Sequence, residues 1–263
     1  MNTPDLFVAV DWSGSARPEG QRKHIWTSIA GEQSFNGLTR TELTSWLIEN
    51  FAGRPVVVGL DFAFSFPVSF FRRRGCSDVR DLWLEAELHG EEWLQGCEAP
   101  FWGRPGRKCP QSHANEGFRK TDREIRVGGV SPKSPLQIGG AGAVGTGSIR
   151  GMPLLRRLQS AGFSIWPFDP PRLPMVMEIY PRLLTGPVNK GQASARADYL
   201  MGSEFNVLSA AEKTAAEASE DAFDAIVSAL RMRGCAADFA ELRQAKEPIE
   251  LLEGRIWAPR QAN

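Results

Sequence analysis

Five acidic residues stand where the chain could do chemistry. Asp11 follows the apolar run Leu6 to Val10, and Asp61 follows the apolar run Pro55 to Leu60. Glu178 lies inside the apolar segment Met175 to Ile179, an expensive place for an unpaired carboxylate. Asp221 and Asp224 are spaced i, i+3 in SEDAFDA, so on a helix they share one face. Oxygen donors delivered this way suit hard cations, since magnesium takes oxygen ligands and keeps several waters. Two such ions about 4 Å apart can activate a water and stabilise the leaving oxygen of a phosphodiester. The expectation is that Asp11, Asp61, Glu178, Asp221 and Asp224 bind Mg²⁺ or Mn²⁺ and act in catalysis. Each acid alone has a plainer explanation. An Asp after a strand caps a turn, and an Asp at a helix start faces the helix dipole. Several ionisable groups brought together in apolar surroundings point instead to a site.

A second group of residues could hold an anion. Gly139, Gly140, Gly142, Gly145 and Gly147 would let backbone amides face a phosphate, with Thr146, Ser148 and Arg150 adding contacts. Arg119 and Lys120, with Arg123 and Arg126, lie upstream as a local basic patch. The pattern GxxxxGK[ST] is absent, so this is no Walker loop, and the plainer reading is a glycine-rich turn. Cys76, Cys97, Cys109, His89 and His113 contain no CxxC pair and form a poor zinc set. Ser13 and Ser15 follow Asp11, but no G-x-S-x-G elbow exists, so they shape a turn. Phe101 and Trp102 beside Arg104 and Arg107 could stack on bases, or plug the core.

The elements that must position these residues follow from patterning. Leu6 to Val10 and Pro55 to Leu60 read as buried strands. His24 to Ala30 and Gln33 to Phe35 flank a Gly31-Glu32 turn and read as a hairpin. Thr39 to Phe51 opens with a Thr-x-x-Glu capping box and continues as a helix. Asp78 to Leu94, Met152 to Ala161 and Ala210 to Met232 also read as helices, with Pro153 near the first turn of its own. Phe163 to Phe168 and Met175 to Ile179 read as strands, and the tail Gly254 to Pro259 packs back on the core. The segment 65–150 reads as an insertion or elaborated loop system. Two strands that each end at an acid place a ligand site at the carboxyl ends of an α/β sheet.

The bulk numbers agree with one such domain. The chain has 263 residues, 42% of them hydrophobic and 24% charged, which leaves ample material for a core. Lys+Arg and Asp+Glu are both 31, so a strongly basic global footprint for nucleic acid is absent. Four cysteines do not make a disulfide scaffold in a chain of this length. The first residues lack a basic, then apolar, leader pattern, and no stretch approaches a membrane span. A soluble, cytoplasmic protein without a membrane partner is expected.

Six segments carry a resemblance: VAVDWSGSA (8–16), VVVGLDFAFSFP (56–67), SPLQIGGAGAVGTGSIRGMP (134–153), MEIYPRLLTG (177–186), EDAFDAIVSAL (220–230) and EGRIWAP (253–259). In that order the chain resembles the domain-of-unknown-function 429 family, described as predicted nucleases of ribonuclease-H-like fold. The resemblance implies a mixed sheet flanked by helices, with a large insertion at about 65–150. It implies an acid on the first strand (Asp11), one on the fourth (Asp61) and acids on a late helix (Asp221, Asp224). Glu178, on a fifth-strand candidate, fits that pattern less cleanly. The implied function is metal-dependent hydrolysis of nucleic acid. The alternatives are an actin-like or sugar-kinase-like phosphotransferase or ATPase, and a non-catalytic nucleic-acid-binding module.

Overall fold

The computed structural model describes residues 3–260. The chain begins with β1 (Leu6–Asp11), α1 (Pro18–His24), β2 (Trp26–Ile29), β3 (Gln33–Phe35), α2 (Arg40–Phe51) and β4 (Val56–Leu60). Helices α3 (Val68–Arg74), α4 (Val79–Gly96), α5 (His113–Glu116), α6 (Lys120–Glu124) and α7 (Gly145–Ser160) follow. Strands β5 (Ser164–Trp166) and β6 (Met175–Glu178) lead to α8 (Pro181–Thr185), α9 (Ala193–Tyr199) and a 3-10 turn at Ser203–Val207. The chain closes with α10 (Ala210–Ala218), α11 (Glu220–Gly234), α12 (Ala236–Ala240) and α13 (Pro248–Glu253). Among the described residues no helix is long and apolar enough to cross a membrane.

The strands form one mixed six-stranded sheet in the order β3-β2-β1-β4-β6-β5. β1, β2 and β3 are antiparallel neighbours, and β4, β6 and β5 run parallel to β1. Helices cover both faces. Val8, Val10, Val58, Leu60 and Val176 face one layer, where Leu43 and Leu47 of α2, Trp83 of α4 and Leu155 of α7 pack. Phe7, Ala9, Val57, Met175 and Met177 face the other, against Ala229 and Met232 of α11 and Phe239 of α12. Burial on both faces is why β1 and β4 read as unbroken apolar runs rather than as alternating ones. Each fully buried Val or Leu contributes about 1.5–3 kcal/mol over an exposed one, so this central sheet is a rigid base for whatever its ends carry.

Several boundaries differ from the sequence-based expectation. His24 closes helix α1 instead of opening a strand. The helix expected over Ala210–Met232 breaks at Ser219, whose side chain accepts from the Ala222 amide and starts α11. α7 begins at Gly145, seven residues before Met152, and Pro153 sits inside it. Glycines there serve close packing: a Cβ on Gly151 would meet the Phe62 ring at 2.6 Å. Tertiary contact thus overrides the loop propensity of the segment. Residues 65–150 share the core of the sheet, with Phe66, Phe70, Trp83, Trp93 and Phe101 buried in its larger apolar cluster.

Candidate active site at the carboxyl end of the sheet

Asp11 is the last residue of β1, and the Asp61 amide extends the ladder by donating to the Val10 carbonyl (3.1 Å). Val10 pairs with Leu60, and Leu60 pairs with Glu178. Side chains alternate across a strand with a period of two. Asp11 and Asp61 therefore share the face on which α11 packs, and Glu178 points to the opposite face with Val10 and Leu60. Asp221 and Asp224 lie in the first turns of α11, below its Ser219 cap. Asp224 is 2% exposed. Four of the five acids marked by the sequence thus meet on one face, at the end of two neighbouring strands and the start of one helix.

Burial and the neighbouring charges raise three of these carboxyls, Asp11, Asp61 and Asp224. Burial, then the charges of Asp224, Asp61 and Asp221, raise the Asp11 carboxyl well above its ordinary value. Burial and Asp224 push Asp61 up to about 8. Burial pushes Asp224 to about 6, with Glu220 and Asp221 adding to it and Lys190 opposing it. The Lys190 ammonium donates to Asp224 Oδ2 and stands 3.5 Å from Glu220. Burial works against that ammonium, and Asp224, Asp61 and Asp11 overcome it and raise its pKa. The loop carrying Lys190 is braced from below: Arg182 donates to the Val188 carbonyl (2.6 Å) and the buried Arg196 donates to that of Lys190. His24 closes the rim, its Nδ1 2.8 Å from Asp221 Oδ2. The sequence carried no periodic signal for Lys190 or His24, since each acts from a loop or helix end distant in the chain.

Glu178 departs from the expected cluster. Two nitrogens of the Arg119 guanidinium reach its carboxylate at 2.6 and 2.7 Å, and the Phe64 amide adds a third hydrogen bond at 3.0 Å. Arg119 also grips Asp122 at 2.9 and 3.1 Å, and all three side chains are almost fully buried. Burial opposes the charge on Arg119, but Asp122 and Glu178 outweigh it and raise its pKa. Burial raises the Glu178 carboxyl above its ordinary value, and the Arg119 guanidinium opposes that rise. A carboxylate so paired is a structural anchor between β6 and α6.

A cavity of about 350 Å³ opens at Asp61, the member of the aspartate cluster that lines it. Asp61 and Tyr180 stand on its wall, with Trp12, Val144, Thr146 and Gly147, and the Arg119–Asp122–Glu178 triad lines its floor. The turn after β1 is pressed against the start of α7: Trp12 Nε1 donates to the Gly147 carbonyl (3.0 Å), and a Cβ on Gly14 would lie 2.8 Å from the Gly147 nitrogen. The side chains expected to hold phosphate are engaged within the protein. Thr146 Oγ1 donates to the Ile138 carbonyl (3.0 Å) and Ser148 Oγ to that of Val144 (3.0 Å). Arg150 pairs with Glu91 (2.6 Å), and Lys120 with Glu247 (2.9 Å). Arg119 belongs to the buried triad. Gly145 donates its amide to the Gln137 carbonyl (2.9 Å), while Gly139, Gly140 and Gly142 form the preceding turn and stay outside the cavity lining. Of that set Thr146, Gly147 and the triad-bound Arg119 line the cavity.

The donor set at the aspartates is all oxygen, the chemistry of a hard divalent cation. Asp224 Oδ1 is buried with no hydrogen-bond partner, and a buried oxygen left in this state costs about 1–3 kcal/mol. Such an oxygen fits a ligand to an ion. Among the described residues, no three His, Cys, Asp or Glu side chains converge closely enough to hold a metal ion as they stand. Lys190 supplies the positive charge there. No protein-family model, curated protein or solved structure matches the chain.

Proposed function

We propose that the protein is a divalent-metal-dependent nuclease built on a ribonuclease-H-like core. One observation carries the reading: Asp11, Asp61, Asp221 and Asp224 share one face at the carboxyl end of the sheet, around a buried Asp224 oxygen without a partner. An acid on the first strand, one after the fourth and a pair on a late helix is also the pattern that the resemblance to the domain-of-unknown-function 429 family implies. Mg²⁺ or Mn²⁺, when bound, would supply charge neutralisation at the phosphate and an activated water. The chain's own part is to present oxygens from rigid elements. Asp11 and Asp61 come from adjacent strand ends, and Asp224 comes from a capped helix. Lys190 offsets their repulsion, and it would yield Asp224 to a bound ion. Glu178 stays with Arg119 and outside the ligand set. The phosphotransferase alternative requires a second copy of the core, and the described residues contain one sheet.

Calorimetric titration of Mg²⁺ and Mn²⁺ into wild type and an Asp11→Asn, Asp224→Asn double variant tests this, alongside cleavage of a labelled panel of DNA and RNA. Metal binding and cleavage in wild type, both lost in the variant, are expected. Metal binding without cleavage would shift the reading to a non-catalytic nucleic-acid-binding module. An absence of metal binding even with nucleic acid present refutes the site.

A further inference from the structure

A second cavity, of about 460 Å³, adjoins the first and shares Asp122, Pro132 and Lys133 with it. Its character is the reverse of the aspartate cluster. Arg123, Arg126 and Lys133 line it, and its one acid, Asp122, is held by Arg119. Arg126 and Lys133 are exposed. Arg126 spends one nitrogen on the neighbouring Ile125 carbonyl (2.7 Å), and Lys133 makes no ion pair among the described residues. The two cavities make one trough with a graded lining. It runs from Asp61, where the aspartate cluster meets it, past the half-buried ring of Tyr180 and the exposed Val144, over Pro132, to a basic end.

We propose that this trough is the track of a single nucleic-acid strand, with the phosphate to be cut at the aspartates and a neighbouring phosphate held by Lys133 and Arg126. The inference rests on the nuclease reading and adds the form of the substrate. Three features select a lone strand. The first cavity, about 350 Å³, is on the scale of a single nucleotide. Its middle offers an aromatic ring and apolar side chains, which suit a base out of its stack. The cations that line the trough are local and lie at one end, in a chain whose total charge is balanced and lacks the strongly basic footprint of a duplex binder. The acidic end repels phosphate without a metal, whereas the basic end attracts it with or without one. Binding is therefore separable from cutting.

The test measures binding of a fluorescein-labelled single-stranded oligothymidylate by anisotropy, in EDTA and at several salt concentrations. The proteins are wild type, a Lys133→Gln, Arg126→Gln double variant, and Arg54→Gln. Arg54 precedes the amino end of β4, at the opposite end of the sheet, and serves as the control. Loss of the one phosphate held by this pair should lower the salt slope by about 0.7 for a single strand. Affinity at low salt should fall about tenfold or more, with Arg54→Gln unchanged. In Mg²⁺, cleavage by the double variant should show a raised KM at an unaltered kcat. Equal slopes in the double variant and wild type overturn the proposal. So does thymidine monophosphate competing as well as the oligomer, which would make the trough a free-nucleotide site, or a duplex binding as tightly as the single strand. A nuclease reading that failed would show itself differently, as intact binding without cleavage by any of the proteins.

Discussion

The buried triad offers a direct test of which acids belong to the site. Arg119→Met removes the guanidinium that faces both Glu178 and Asp122 while keeping a side chain of similar length. Two carboxylates, 3% and 2% exposed, then lose their counter-charge. Each retains one backbone donor, the Phe64 amide for Glu178 and the Arg119 amide for Asp122, both at 3.0 Å. Breaking a buried pair from one side costs about 3–5 kcal/mol. With a backbone donor left to each acid, the expected loss is about 4 kcal/mol, a fall in Tm on the order of 10 °C for a chain of this size. Adding Glu178→Gln and Asp122→Asn to Arg119→Met should restore more than half of the loss, because no uncompensated charge then stays buried. The penalty should also shrink as pH falls. The orphaned carboxyls would have folded pKa values above their unfolded ones, so the cost grows as pH rises past about 4 and fades below it. Differential scanning calorimetry of the three proteins reads all of this. Glu178→Gln alone should lower Tm and leave Mg²⁺ affinity unchanged. A loss below about 1 kcal/mol in Arg119→Met would refute the anchoring role, and so would loss of Mg²⁺ binding in Glu178→Gln at an unchanged Tm.

Two further predictions concern the aspartate cluster. Lys190→Met removes the ammonium that contends with an ion for Asp224, so Mg²⁺ affinity should rise about tenfold or more by calorimetry; an equal or weaker affinity would show that Lys190 does not occupy the ion's place. In metal-free protein, Asp61 is pushed up to about 8 and Asp224 to about 6, above their unfolded values near 3.9. The folded state then binds more protons than the unfolded one between about pH 4 and pH 8, and stability falls as pH rises through that window. Asp61→Asn should remove part of this slope, and the difference in Tm between variant and wild type should widen towards pH 8; a difference independent of pH would refute the raised value of Asp61.

Much of the scaffold was legible in the chain because its signals are local. Val56 to Leu60 is apolar at every position, and only a strand covered on both faces by helices tolerates that. The Thr39–Glu42 capping box that starts α2 is a matter of four consecutive residues and is present as read. Asp78 caps α4 for the same kind of reason. Acids at the ends of two apolar runs were equally visible, since a strand's end is marked by where the apolar run stops.

Other features depend on contacts that no window of sequence contains. Residues 145–151 look like a loop, and they are helical where Gly145, Gly147 and Gly151 let Pro135, Trp12 and Phe62 pack close. Glu178 shares the chemistry of the four aspartates, but the register of β4 against β6 turns it to the other face of the sheet, where Arg119 meets it. Arg119 looks like a phosphate ligand until the fold buries it between two carboxylates. Lys190 is an ordinary loop lysine in sequence, and the bracing of its loop by Arg182 and Arg196 brings it to Asp224. The sequence by itself determined the central strands, the capped helices α2 and α4 and where the acids leave the strands, because propensity, capping and apolar patterning act over a few residues. The tertiary structure alone decided which charges face one another, because a one-residue change of register reverses a side chain's face and pairing partners lie scores of residues apart.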